Sequence, residues 1–302
     1  MPPFLHRQAE NPRHRRTGGQ VPSQVRHELT LARALGARRL SKTLQRLRGA
    51  RAAVILAALL APAAAAGDAP ACETDRVDAQ VTAAFVFDGD TLELGDGRKV
   101  RLLGIDTPEI GHDGAPSQAY AEEARRLLER LAAPGEALRL RFDSERFDRY
   151  GRTLAHVFRA DGGNVQAQLL EAGYATTLVV PPNQWSAHCY AALEALARGE
   201  GRGIWGLERY QPVPAESLAA SARGFHLVTG RVQRVGESRG NVWLNLAAHM
   251  AVRIPRDDLV YFGDDDPRRL HGRRLEVRGW MQKRRGELRI TVRHPAAIRV
   301  LD

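Results

Sequence analysis

Three short clusters of charged residues carry the side chains that are best suited to chemistry. They are residues 88–91 (Asp-Gly-Asp-Thr), 101–109 (Arg-Leu-Leu-Gly-Ile-Asp-Thr-Pro-Glu) and 148–152 (Asp-Arg-Tyr-Gly-Arg). If the first two clusters meet at one end of a strand meander, the carboxylates of Asp90 and Asp106 converge. Converging negative charges favour a bound cation. Oxygen ligands without a neighbouring Cys or paired His indicate a hard ion, Ca²⁺ or Mg²⁺.

The other charged residues of the clusters fit a reaction at phosphorus. Arg101 and Arg152 carry planar, permanently charged guanidinium groups that suit phosphate oxygens. Glu109 follows Pro108 and supplies a carboxylate that is able to orient or deprotonate water. Beside a metal ion, these groups fit the hydrolysis of a phosphodiester by water, without a nucleophilic side chain. Each residue taken alone is more often structural, so the combination carries the interpretation.

Short strands and three helices are expected to position these clusters. Alternating apolar residues and Asp-Gly turns predict strands at 81–87, 91–94, 100–105, 138–142 and 154–158. Helices are predicted at 118–132, 165–172 and 190–198. The pattern indicates a mainly β fold with inserted helices, built around a five-stranded OB-fold barrel.

The three clusters, taken in order and with their spacing, resemble the signature of the staphylococcal nuclease (thermonuclease) family. The likeness continues in 164–175 (NVQAQLLEAGYA) and 201–205 (GRGIW), so that it covers about 81–206. It implies an SNase-like OB-fold nuclease that acts on DNA and/or RNA. The best-known secreted members have tyrosines that stack on the substrate, whereas 176–183 holds no aromatic residue. Base preference therefore stays open.

The resemblance also implies a role for each charged residue of the clusters. Calcium, in preference to magnesium, would be bound by Asp90, Asp106 and the backbone carbonyl of Thr107. The residues implied as catalytic are Arg101 and Arg152 on the phosphate and Glu109 beside the attacking water. One alternative is a non-catalytic module that binds nucleic acid. Another is an envelope protein whose basic part binds anionic polymers.

The first 66 residues are predicted to be a disordered basic leader that ends in a signal peptide. Arg46, Arg48 and Arg51 precede an apolar run at 52–60, and small residues lead to Ala66. Basic, apolar and small-residue regions in this order are typical of a secretory signal. The apolar run is too short for a stable membrane span. We therefore expect export to a periplasm or secretion, with cleavage near Ala66.

The net charge of +10 divides unevenly along the chain. Residues 1–66 hold 12 Lys or Arg against 2 Asp or Glu. Residues 67–224 hold 17 against 24, a net charge of −7, and residues 225–302 hold 16 against 9, a net charge of +7. An acidic part joined to a basic part suits a metal-dependent catalytic domain beside a domain that holds a polyanion. Simple solvated surfaces are the alternative.

The C-terminal part is predicted to be a second, basic domain. The predicted boundaries are 67–210 for the nuclease-like domain, 211–224 for a Pro-containing linker and 225–302 for the accessory domain. Five β-rich runs indicate a second small OB-like β-barrel. Exposure of Trp243, Trp280 or Tyr261 would give a face for single-stranded nucleic acid; core aromatics and solvated arginines are the alternative. The candidate nucleic-acid-binding residues are Arg273, Arg274, Arg278, Lys283, Arg284 and Arg285.

The sequence contains two cysteines, Cys72 and Cys189, and both follow the predicted cleavage site. In an oxidising compartment such a pair can form one disulfide. That bond would tie the mature N-terminus to the region around residue 189. Two free thiols are the alternative. No protein partner is inferred from the sequence.

Overall fold

The strands that carry the charged clusters come first in the described part of the chain. The structure, a computed structural model, describes residues 72–302, which belong to the compact unit Ala65–Asp302. The predicted leader and signal peptide lie outside the described residues. In chain order the first seven strands are β1 (Ala79–Val86), β2 (Thr91–Leu94), β3 (Lys99–Leu102), β4 (Gly104–Asp106), β5 (Ala137–Arg141), β6 (Thr153–Arg159) and β7 (Thr176–Leu178). The helices are α1 (Ala121–Leu131), α2 (Val165–Glu171) and α3 (Ala187–Gly199).

Five of these strands close a barrel in the order β1, β2, β3, β6, β5. This confirms the five-stranded barrel that the sequence predicts. Apolar residues at alternate positions of β2 and β3 fill its core: Leu92, Leu94, Val100 and Leu102 are buried. Because β3 and β6 are parallel, the chain must cross between them, and α1 and β5 lie in that connection.

The predicted third strand, 100–105, is two strands in the structure. β3 ends at Leu102, and β4 begins at Gly104, whose φ of +82° favours glycine. A Cβ at this position would lie 2.6 Å from the ring of Tyr190 in α3, so the close approach also requires glycine. The chain leaves the barrel here, and β4 pairs with β7 so that Asp106 lies opposite Thr176.

The remaining strands form a separate sheet. They are β8 (Val213–Pro214), β9 (Gly224–Arg231), β10 (Arg234–Glu237), β11 (Asn241–Ala247), β12 (Met250–Pro255), β13 (Arg274–Arg284), β14 (Glu287–Thr291) and β15 (Ile298–Val300). Their order is β10, β11, β12, β14, β13, β9, β8, and β15 also pairs with β13. We refer to residues 72–210 as the N-terminal module and to residues 211–302 as the C-terminal module.

The predicted second OB-like barrel is confirmed only as a second, mainly β module whose strands form one sheet. The C-terminal strands form an eight-stranded sheet, and no pairing among the described residues closes it. A strand has two edges, and those of β9 are taken by β13 and β8. β8 covers only Val228 and Thr229 of the edge on its side of β9. Two residues after β9 the chain continues as β10, and the backbone N–H groups of Val232 and Gln233 donate to the carbonyl oxygens of Arg273 and Asn245, so the chain passes from pairing with β13 to pairing with β11.

The segment expected to be a linker, 211–224, takes part in the C-terminal module. It supplies β8, which pairs in parallel with β9, and a short turn of 3₁₀-helix at Ala215–Ser217. Ala215 and Leu218 are buried in the core of the C-terminal sheet. The chain therefore enters the second module through a packed strand.

A small hydrophobic cluster joins the two modules. Trp205 and Tyr210, at the end of the N-terminal module, pack with Leu227 of β9, and Phe225 lies against them. The rings of Tyr210 and Phe225 are 5.9 Å apart. No helix within residues 72–302 has the length and apolar content that would let it cross a membrane.

Candidate active site

The turn between β1 and β2 presents Asp90 in a fixed orientation. The carboxylate of Asp88 accepts a hydrogen bond from the Asp90 backbone N–H at 3.0 Å, which holds the turn. A Cβ on Gly89 would lie 2.6 Å from Cβ of Ala124 and 2.7 Å from Oγ1 of Thr107. Only glycine lets the turn pack this closely against α1 and the end of β4.

Hydrogen bonds orient the Asp90 carboxylate from two sides. The backbone N–H and the hydroxyl of Thr107 donate to Oδ2 of Asp90 at 3.0 and 3.2 Å. The hydroxyl of Thr91 donates to Oδ1 at 3.1 Å. Asp90 is buried, and the segment after β4 is thereby tied to the β1–β2 turn. The first two sequence clusters therefore meet, as the meander predicts.

Arg101 bridges the two carboxylates that the sequence singles out. Its Nε lies 3.1 Å from Oδ1 of Asp90, and its Nη2 lies 2.9 Å from Oδ1 of Asp106. Its Nη1 donates to the carbonyl oxygens of Leu102 and Ile105 at 2.6 and 2.9 Å. The side chain is 14% exposed, so this guanidinium is an enclosed counter-ion of both carboxylates.

Negative charge exceeds positive charge around Arg101. Burial and the neighbouring Asp90 raise the pKa of Asp88 to about 6. Burial also raises the pKa of Asp106 to about 6, although Arg101 acts in the opposite direction. Four carboxylates, including Glu109, raise the pKa of Arg101 against the effect of its own burial. Several acidic groups around one arginine are the surroundings in which a hard cation is stabilised.

The donor set for a cation would have to combine carboxylates with other oxygen atoms. Within residues 72–302, no group of three or more His, Cys, Asp or Glu residues is placed to hold a metal ion. Asp90 and Asp106 are two carboxylates, and the Thr107 backbone supplies a carbonyl oxygen between β4 and Glu109. Calcium accepts carbonyl and water oxygens beside carboxylates, so these residues fit such an ion.

Glu109 and Arg152 lie further out than the other predicted residues. The side chain of Glu109 is exposed, yet it is near enough to act electrostatically on Asp106 and Arg101. Nε of Arg152 donates to Oδ2 of Asp148 at 2.7 Å. In the described chain Arg152 makes no direct contact with the other four side chains. Leu154 of β6 is paired with Arg101. Arg152 precedes Leu154 by two residues, a separation of about 7 Å along a strand.

The structure adds two residues that the sequence interpretation left out of the site. Asp88 stabilises the turn and adds a carboxylate beside Asp90; its place in the Asp-Gly-Asp sequence was the available signal. Tyr210 lies near enough to Asp106 to interact with its charge. Tyr210 is over 100 residues further along the chain, and no local pattern marks it.

The six candidate nucleic-acid-binding residues divide into three groups. Arg278 lies at the module interface, where it contacts Glu194 at 2.5 Å, and this removes it from the solvent-facing set. Arg273 pairs with Asp302, whose side chain also accepts from the Arg274 backbone N–H. Lys283, Arg284 and Arg285, at the turn of the β13–β14 hairpin, are exposed and form no ion pair with described residues, and the exposed Arg274 side chain forms none either.

A disulfide joins Cys72 to Cys189, with the Cα atoms 5.7 Å apart. The side chain of Asn164 donates to the Cys72 carbonyl oxygen at 2.9 Å and accepts from the Ala167 backbone N–H at the start of α2. The segment that precedes β1 is therefore fixed to α2 and α3, on the helical side of the barrel.

Comparison with known proteins agrees with the family resemblance that the sequence clusters of the N-terminal module indicate. Residues 99–206 match the family described as "Staphylococcal nuclease homologue". The chain is 28% identical over 188 residues to endonuclease YhcR of Bacillus subtilis, covering 59% of this chain and 15% of YhcR. It is 37% identical over 101 residues to the thermonuclease of Staphylococcus intermedius, covering 32% of this chain and 59% of that protein.

A third relative is covered over most of its length. The chain is 35% identical over 156 residues to the succinoglycan biosynthesis protein ExoI of Rhizobium meliloti, covering 50% of this chain and 71% of ExoI. The chain spans less than two thirds of YhcR and of the thermonuclease. The family match begins at β3 and runs to residue 206, and the chain belongs to the staphylococcal nuclease homologue family.

Proposed function

We propose that this protein hydrolyses phosphodiester bonds of DNA and/or RNA with the help of Ca²⁺. The single observation that carries the proposal is the buried cluster of Asp90, Asp106 and Arg101, in which two carboxylates and a guanidinium converge beside Glu109. The relatives named endonuclease or thermonuclease support the same reaction class.

Each group has a part in this reaction. Arg101 and Arg152 bind non-bridging phosphate oxygens and stabilise the negative charge that grows on them. Glu109 orients or deprotonates the attacking water, and its exposed carboxylate is open to solvent for that task. Asp90, Asp106 and the Thr107 carbonyl would hold a calcium ion, which would supply further neutralisation of the phosphate. Water is the nucleophile, so no covalent intermediate with the protein is formed.

The test is cleavage of single-stranded DNA and RNA by the full chain, with Ca²⁺ and with EGTA. We expect cleavage with Ca²⁺ and none with EGTA. Glu109→Gln is expected to lower the rate roughly 10²- to 10⁴-fold, the usual contribution of a positioned acid or base. Arg152→Ala is expected to lower it roughly 10²- to 10³-fold, through loss of transition-state stabilisation.

Arg149→Ala is the matched control for Arg152→Ala. Arg149 is in the same turn, is exposed and donates only to the hydroxyl of Tyr150. Its substitution should leave the rate within a factor of two or so. Equal rates for Arg152→Ala, Arg149→Ala and the unchanged protein would refute the role given to Arg152. A folded, unchanged protein that cuts neither substrate would refute the enzyme.

A non-catalytic nucleic-acid-binding module of the exported envelope is the second candidate. It is favoured by one observation: Arg101 already forms ion pairs with Asp90 and Asp106, so the cluster also works as a structural ion-pair network. This alternative expects binding that is independent of Ca²⁺ and unaffected by Glu109→Gln. We also propose that the protein is exported, because the Cys72–Cys189 disulfide suits an oxidising compartment.

A further inference from the structure

A cleft of about 170 Å³ opens between the two modules beside Asp106. One wall is the segment 176–180, which contains β7 and the two residues after it. The opposite wall contains Phe225 of β9 and Trp280 of β13, and Arg293 lies at its border. The cleft therefore begins at a carboxylate of the candidate active site and continues onto the C-terminal sheet.

Trp280 is a large aromatic residue that the fold leaves uncovered. Its side chain is 48% exposed, while Met281 beside it is buried in the core of the sheet. It lies opposite Phe225 in the β13–β9 pairing, so two aromatic residues are neighbours on this sheet. A half-exposed aromatic residue in a concave, mostly apolar site indicates a binding surface.

The contacts of Arg278, which precedes Trp280 on β13, set the position of Trp280 relative to Asp106. Two residues before Trp280, Arg278 donates to Glu194 of α3 and to the hydroxyl of Thr177, at 2.5 and 2.7 Å. Thr177 belongs to β7 and lies opposite Ile105 of β4, and Asp106 is the next residue of β4 in this ladder. Trp280 is thus held near the catalytic cluster by buried contacts.

Positive charge continues from the cleft along the β13–β14 hairpin. Lys283, Arg284 and Arg285 follow Trp280 on this hairpin and are exposed. Basic side chains at this end suit the phosphates of a strand that leaves the cleft. An apolar, aromatic wall followed by basic residues is the combination that single-stranded nucleic acid requires.

We propose that this cleft binds one unpaired base of the substrate strand beside the scissile phosphate, with Trp280 as the stacking surface. The proposal rests on the proposed nuclease function and names the substrate form, a single strand. In a duplex the two faces of a base are covered by stacked neighbours, so that a strand must be unpaired to present a face to Trp280. The volume of the cleft is below the range of about 300–1,000 Å³ typical of sites that enclose a whole ligand, which matches one ring held on one side.

Binding of octathymidylate to the full chain in EGTA tests the proposal without cleavage. We expect the base to quench tryptophan fluorescence and an abasic octamer of the same charge to bind more weakly and without the quench. Trp280→Ala should weaken octathymidylate binding roughly 10- to 100-fold, the usual effect of removing one stacked aromatic residue. Trp280→Phe should retain most of the affinity and lose the quench.

Trp243→Phe is the matched control, because Trp243 lies on β11 of the same sheet and outside the cleft. It should keep both affinity and quench. The proposal is overturned if folded Trp280→Ala binds octathymidylate as tightly as the unchanged protein, or if the abasic octamer binds equally well.

A base-free substrate separates this proposal from the proposed function. With Ca²⁺, hydrolysis of the abasic octamer needs the catalytic cluster and offers no ring to stack on Trp280. Trp280→Ala should leave that rate unchanged while it raises KM for octathymidylate. If neither substrate is hydrolysed by any form of the protein, the nuclease function fails, and the binding experiment in EGTA still decides the role of Trp280.

Discussion

His156 shows how a single buried side chain couples stability to pH. It lies in β6, is 1% exposed, and its Nδ1 is 2.9 Å from the hydroxyl oxygen of Tyr190. Nε2 has no hydrogen-bond partner among the described residues. Burial lowers the pKa of His156 to about 3; nearby Arg141 acts in the same direction and Asp75 in the opposite one. The ring is therefore neutral in the folded protein at all but strongly acidic pH.

The consequence is a loss of stability on acidification. Below an ordinary histidine pKa of about 6.5 the unfolded chain binds a proton that folded His156 does not. The free energy of unfolding should therefore fall as the pH drops from about 6.5 towards 3, by about 1.4 kcal/mol per pH unit from this group. Urea unfolding at several pH values between 7 and 4.5 measures the slope.

Comparison with the His156→Gln variant separates the contribution of His156 to the pH dependence of stability from that of the acidic groups. The variant has no titrating ring at this position, so its free energy of unfolding should fall less over the same interval. The difference between the two proteins should grow as the pH is lowered, whatever their difference at pH 7. Parallel curves for the two proteins would show that His156 is protonated in the folded state or is not buried there.

At the scale of the elements, the disulfide and α3 fix the helical side of the barrel. Cys189 lies in the first turn of α3, and Tyr190 follows it with its ring against Gly104 and its hydroxyl beside His156. The bond closes a long loop, because 117 positions separate the two cysteines. In the chain-entropy account, such a long loop gives a large restriction of the unfolded state.

Loss of the disulfide should lower the free energy of unfolding by about 2–5 kcal/mol. The comparison is between the oxidised protein, the same protein in reductant, and the Cys72→Ser, Cys189→Ser double variant, each unfolded in urea. The reduced protein and the double variant should have equal midpoints below that of the oxidised protein. Equal midpoints for the oxidised and reduced forms would contradict the expected contribution, provided that thiol titration shows complete reduction.

The barrel strands could be predicted because their signals are local. In β2 and β3, apolar residues alternate with polar ones, and Asp96-Gly97 marks the turn between them. The site cluster could also be placed, since Asp90 immediately precedes β2 and Arg101 lies on β3, the neighbouring strand of the meander. Spacing along a strand fixes which side chains share a face, so little tertiary information was needed.

The features that could not be predicted from the sequence depend on contacts between distant segments. The pairing of β4 with β7 after the break at Gly104 joins residues 70 or more positions apart, as Asp106 with Thr176. The apolar pattern of a sequence is the same for one continuous strand and for two strands that belong to different sheets. Likewise, Arg278 has the same sequence context whether it faces solvent or Glu194, so its charge alone did not predict the ion pair with Glu194.

At the scale of the whole molecule, two ion pairs cross the interface between the modules, and each module supplies the arginine of one pair and the glutamate of the other. Arg198 of the acidic N-terminal module contacts Glu276 of the basic C-terminal module at 2.5 Å. In return, Arg278 of the basic module contacts Glu194 of the acidic one. The opposite net charges of the two parts are therefore not what selects this arrangement. Two reciprocal pairs define one relative position of the modules more strictly than a general attraction would.

Glu194 makes this interface sensitive to the loss of one partner. Its carboxylate is 4% exposed and accepts from the backbone N–H and the hydroxyl of Thr177 as well as from Arg278. Arg278→Met would remove the cation with which this buried carboxylate forms its ion pair in the described chain. Breaking one side of a buried ion pair costs about 3–5 kcal/mol, so urea unfolding should show a decrease of that order.

The double variant Arg278→Met, Glu194→Gln tests whether the unpaired charge is the cause. Replacing both partners by uncharged groups removes the buried charge, and the free energy of unfolding should recover most of the loss. Because the two side chains touch, the two substitutions should be strongly non-additive. If the double variant is as unstable as Arg278→Met, the loss comes from packing of the arginine and not from Glu194. If instead Arg278→Met unfolds like the unchanged protein, the contact is not formed in solution, and the buried support that holds Trp280 beside Asp106 is absent with it.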